Sequence, residues 1–230
     1  MAMEQESRVD LGPGRRRRIR DLAGRVLLKY TDGLLPVSPM DILRRSPVCR
    51  IVSYEAYQRE ALRPSGVTAD TYFPSPDGCT QYFADQRRYL VFYNSDLIYS
   101  QPWRLRWTLA HEIGHITLGH LLTNSGTHIF GEGLSEDEYA RCEAEADYFA
   151  AMLLAYPAVL RACKVQSEEA LQHLCGLSRE AARCRFTSFT ASTMAASRVD
   201  SLVVGHFSEA IFAATFPIAT IEPDMSRFRF

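Results

Sequence analysis

The chain has 230 residues, with 26 Lys and Arg against 27 Asp and Glu and 47% hydrophobic content. These are the proportions of a globular protein with one or two domains. A formal net charge of -1 excludes a global basic field that could hold nucleic acid or an anionic membrane by bulk attraction. The stretch Met1 to Asp10 lacks the apolar core of a signal peptide, and Ala210 to Ile221 is too short to cross a bilayer. A cytoplasmic location is therefore expected, and the six cysteines, none paired at zinc-knuckle or redox spacing, read as reduced thiols.

Residues 1–14 read as a disordered lead ending in Gly12-Pro13-Gly14. Four arginines, 15 to 18, then open a helix with one apolar face, and they read as a solvated helix start rather than a nucleic-acid patch. Ser38-Pro39 has the form of an N-cap followed by proline at the first helical position. Cys49 to Tyr54 is a strand candidate, and Thr80–Phe83 with Tyr89–Tyr93 flank polar Asp85–Arg88 as a β-hairpin. A helix is expected from about Arg104 to Leu118, closed by Gly119. Ser135 and Glu138 form a capping-box pair for the next, whose apolar stripe runs through Tyr139, Cys142, Ala146, Phe149, Ala150 and Leu153. Two short helices capped by Ser167 and Ser178 follow, and residues 187–230 show no clear period and read as an irregular tail.

The chemistry lies in His111-Glu112-Ile113-Gly114-His115, an HExxH pattern inside a segment that is helical on independent grounds. At 100° per residue the two histidines leave one helix face about 40° apart, so they can share one zinc ion. Glu112 lies about 60° from His115, placed to reach a water as general base without being a ligand. A catalytic zinc takes three protein ligands, and the extended motif that supplies a third histidine fails because Leu118 and Leu121 occupy its positions. His120 comes too early and points about 100° away from His115. The third ligand is expected from Glu143-Ala144-Glu145-Ala146-Asp147 on the following helix. Glu143 and Asp147 sit one turn apart at the edge of the apolar stripe, an expensive place for carboxylates without a metal or hydrogen bond. Glu143 is the expected ligand and Asp147 the acceptor for a zinc histidine's free ring N–H. Glu145, about 200° from Glu143, is expected to face solvent. His120, His128 and Tyr148 are candidates for stabilising an oxyanion.

Residues 104–115, Arg-Leu-Arg-Trp-Thr-Leu-Ala-His-Glu-Ile-Gly-His, and 143–154, Glu-Ala-Glu-Ala-Asp-Tyr-Phe-Ala-Ala-Met-Leu-Leu, resemble the ImmA/IrrE family of metallopeptidases. The likeness extends more loosely over residues 15–190. It departs from the family at Ala155-Tyr156-Pro157, where a Leu-Leu-Met-Pro ending is common. The resemblance implies zinc held by His111, His115 and Glu143, with Glu112 catalytic. It implies an α+β fold: a mostly helical zincin-like metallopeptidase domain with a small antiparallel or mixed sheet, over residues 15–157. A helix-turn-helix-like subdomain, 158–186, and the tail, 187–230, would follow. The implied activity is zinc-dependent endopeptidase action on a protein, namely a helix-turn-helix transcriptional repressor. The rival reading is a regulator that binds DNA or protein through residues 167–185, with Arg179, Arg183 and Arg185 on its second helix. Structural packing is the preferred role for that segment, so direct nucleic-acid binding is not expected; the balanced charge and the lack of a long apolar run speak against membrane contact.

Overall fold

A computed structural model describes residues 9–62, 68, 72–122, 134–191 and 195–216. Helix α1 (Pro13–Tyr30) starts with proline in its first turn and buries Ile19, Ala23 and Leu27. Helix α2 (Pro39–Arg45) is capped by Ser38, whose side chain accepts from the Asp41 N–H. Strand β1 (Cys49–Ser53) leads into the single turn α3 (Tyr54–Tyr57), which continues as a π-helical turn. Strands β2 (Gly78–Phe83) and β3 (Arg88–Tyr93) are the expected hairpin, with Gly78 opposite Tyr93 and Phe83 opposite Arg88. β1 runs parallel to β3, so the sheet is mixed, in the order β1-β3-β2 with β2 at an edge.

Helix α4 (Leu97–Ser100) is one turn, and α5 (Pro102–Leu118) then carries the HExxH segment. Its end is set by Gly119, whose φ of 78° lets the chain turn left-handed without a Cβ penalty. Helix α6 (Glu136–Leu154) opens with both halves of the Ser135/Glu138 capping box in place. The two helices approach closely at Gly114, where an added Cβ would lie 3.1 Å from the Ala146 Cα and 3.1 Å from its carbonyl oxygen. A side chain there would push α5 and α6 apart. Helices α7 (Pro157–Ala162), α8 (Glu168–Cys175) and α9 (Arg179–Thr190) follow, α8 and α9 capped by Ser167 and Ser178 as expected. The result is the expected α+β, mostly helical, zincin-like fold with a small mixed sheet.

Two expectations need correction. The tail is not irregular throughout: Arg198–His206 (α10) and Ser208–Thr215 (α11) are helices, and Val203 and Phe207 are almost fully buried. Asp200 of α10 accepts from the Tyr156 hydroxyl at 2.8 Å and pairs with the buried Arg20 of α1 at 3.5 Å. Such tertiary anchors leave no trace in local periodicity. The end of the lead is likewise folded, since Leu11 is buried in the core and Pro13 already belongs to α1. Residues 1–8, 192–194 and 217–230 lie outside the described residues. The helical segment after Pro157 shares the main core: Leu171, Cys175 and Ala182 belong to the same cluster as Leu109, Phe149 and Leu153.

Candidate metal centre

Helix α5 supplies two histidines and α6 a carboxylate to one point. His111, His115 and Glu143 each offer a ligand atom within 4.8 Å of the others. His111 Nε2 lies 3.4 Å from Glu143 Oε2 and His115 Nε2 lies 3.4 Å from Glu143 Oε1. A tetrahedral ion with bonds of about 2.0–2.1 Å sets its ligand atoms about 3.3 Å apart; the two nitrogen–oxygen distances are of that size but run to different oxygens of Glu143, so the carboxylate would turn to offer one oxygen to an ion. The two Nε2 atoms are 2.8 Å apart and would open by about half an ångström around such an ion. Two imidazoles and a carboxylate are a donor set suited to zinc.

Behind His111, its Nδ1 meets Asp147 Oδ1 at 2.8 Å. Burial opposes a charge on His111, but the hydrogen bonds to Asp147 and Glu143 outweigh it and push the metal-free ring up to about 10. His115 goes the other way, held well below its ordinary value by burial and by the neighbouring His111 and His120. Glu112 is buried on α5 beside β2. Burial raises its carboxyl, against the pull of His111 and of the Thr80 hydroxyl. A carboxyl raised in this way suits alternating proton acceptance and donation.

Four further residues around this point were assigned other roles by sequence or passed over. Tyr139, counted in the apolar stripe, lies beside Glu143; burial and the charges of Glu143, Glu112 and Asp147 raise its phenol. Glu145 does not face solvent. It is buried, receives the Arg15 Nε at 2.7 Å and a second Arg15 nitrogen, and meets His120 Nε2 at 3.1 Å. Arg15 is therefore more than a solvated helix start. His120, dismissed as a ligand, lies behind His115, with the two Nδ1 atoms 2.9 Å apart. Its one legible signal is the left-handed Gly119, which turns the chain back and voids any helical-wheel angle for the next residue. Of the oxyanion candidates, His128 lies outside the described residues, and the Tyr148 ring lies under the Arg16 guanidinium, 6.0 Å from it. In the helix-turn-helix-like segment Arg185 is buried, with two of its nitrogens on the Ala155 carbonyl at 3.2 and 2.7 Å. All six cysteines are free, and no helix among the described residues is long and apolar enough to cross a membrane.

The model of one family, Peptidase_M78, described as the IrrE N-terminal-like domain, matches residues 70–187. That stretch contains both helices that carry the site. A search of the curated proteins finds no match.

Proposed function

The chain belongs to the Peptidase_M78 family, a metallopeptidase type, and from that premise we propose a zinc-dependent endopeptidase that hydrolyses a peptide bond in a protein substrate. The observation that carries this reading is the convergence of His111, His115 and Glu143 beside the buried Glu112. His111, His115 and Glu143 would hold the ion. A bound zinc would supply Lewis acidity toward the scissile carbonyl and lower the pKa of an attacking water. Glu112 accepts that water's proton and returns it to the leaving amine, a cycle favoured by its raised carboxyl. Asp147 holds the His111 Nδ1 proton, so that Nε2 presents its lone pair.

An extended substrate segment would add to the edge of β2 that pairs with no strand among the described residues; β2 packs against α5 and is tied to it where Arg104 meets Asp77 at 2.7 Å. The substrate we propose is a helix-turn-helix transcriptional repressor, in keeping with the likeness of residues 104–115 and 143–154 to ImmA/IrrE peptidases. Arg185, one of three arginines offered for a DNA contact, is occupied inside the core, which favours the peptidase over the DNA-binding alternative. Metal content of the purified protein, wild type beside His115→Ala, tests the reading. One zinc per chain, lost in the variant, is expected; a wild-type protein that takes up no metal overturns it.

A further inference from the structure

His115 is 2% exposed, so the proton on its Nδ1 has no water to donate to and depends on the protein. What stands there is a chain of three side chains from three parts of the sequence. Arg15 of α1 grips Glu145 of α6 with two nitrogens, which holds Glu145 as a carboxylate able only to accept. The same carboxylate faces His120 Nε2 at 3.1 Å, so that nitrogen carries the His120 ring proton. His120 thus presents a bare Nδ1, 2.9 Å from His115 Nδ1, which must be the donor. The His115 proton is then fixed on Nδ1, which leaves the Nε2 lone pair on the side of Glu143 and of His111 Nε2, 2.8 Å away.

We propose that Arg15, Glu145 and His120 are positioning residues: a hydrogen-bonded relay that sets the tautomer and ring orientation of His115 for metal capture. None of the three belongs to the candidate ligand group His111, His115 and Glu143. The inference rests on the metal site proposed above for its consequence, but not for its geometry, which exists without metal. It makes α1, some hundred residues upstream of the HExxH helix, a working part of that site.

Two measurements on the full chain test it. In the metal-free protein, ¹⁵N-histidine NMR reads the His115 tautomer directly. The wild type should show the Nδ1–H form, and Glu145→Gln, which can also donate, should give a mixture. Chelator competition with Co²⁺ and Zn²⁺ reads affinity. Glu145→Gln and His120→Phe should bind about 10- to 100-fold more weakly, the usual effect of losing a partner behind a metal histidine. His120→Asn, whose amide oxygen can still accept from His115, should recover most of the loss. Wild-type tautomer and wild-type affinity in folded Glu145→Gln would overturn the relay, and that variant decides alone if His120→Phe does not fold. A wild type that binds no metal yet shows a fixed Nδ1–H tautomer lost in Glu145→Gln would sink the metal reading and leave the relay standing.

Discussion

His111 and His115 stand one turn apart on α5 and aim the same nitrogen at the same carboxylate, but the groups behind them belong to different regions of the molecule. Behind His111 is one residue, Asp147, on the helix that also carries Glu143, and its side chain is 44% exposed. Behind His115 is the buried series His120, Glu145 and Arg15, reaching to the first helix. The difference follows from water. At the mouth of the site a lost hydrogen bond can be replaced by solvent, so one carboxylate suffices. Inside, an unmet N–H costs about 1–3 kcal/mol, and every link must itself be satisfied by another until the series reaches a group near the surface. Arg15, 36% exposed, is that group.

The largest expected effects ignore the difference. His111→Ala and His115→Ala should each lose stoichiometric metal, read by elemental analysis; retention in either would remove that histidine from the site. Glu112→Gln leaves both supports untouched, so it should keep its metal while turnover falls by about 10²-fold or more, measured as cleavage rate. Cleavage at the wild-type rate would take the base role from Glu112.

Gly114→Ala acts on what the two halves share, the close approach of α5 and α6. It should destabilise the fold by about 1–3 kcal/mol in chemical denaturation. An unchanged midpoint would mean that the helices part without cost.

Smaller effects should separate the halves. Asp147→Asn, at the exposed side, should weaken metal binding by about tenfold or less, below the loss in Glu145→Gln. The reverse ranking would break the comparison. Proton release should sharpen it further. In metal-free protein His111 is raised to about 10 and His115 lowered, so near pH 7 a metal displaces a proton from His111 and none from His115. Calorimetry in buffers of differing ionisation enthalpy should find about one proton released per ion, and fewer in Asp147→Asn. The same raised His111 stabilises the metal-free fold below its unfolded value of 6.5, and this contribution disappears as pH rises toward about 10. A metal-free protein whose stability is flat over that window would deny His111 its charge.

The exposed half was legible because its relations are local. His111 and His115 are four apart on one helix and Glu143 and Asp147 four apart on the next, so a helical period states who shares a face. Caps at Ser135, Ser167 and Ser178 and the stop at Gly119 are short-range hydrogen-bond and backbone effects, and they fell where the residues indicated. Glu145 was misplaced for a physical reason. An angle of about 200° from Glu143 says that it points away from the candidate metal position, but not that α1 and the turn after Gly119 cover that side. The tail was misread for a similar reason. Helix α10 is short, and its burial depends on Asp200 meeting Tyr156 and Arg20, partners 44 and 180 residues away.

By itself, then, the sequence determined the helices of the site, the two histidines and two carboxylates that face one another, and the hairpin beside them, because each depends on neighbours within a turn or a strand. Only the tertiary structure decided which side of α6 is inside, that Arg15 reaches Glu145, and that His120 backs His115. Those contacts join residues 5, 25 and 130 positions apart, and what brings them together is the packing of α1 against α6, which no local period encodes.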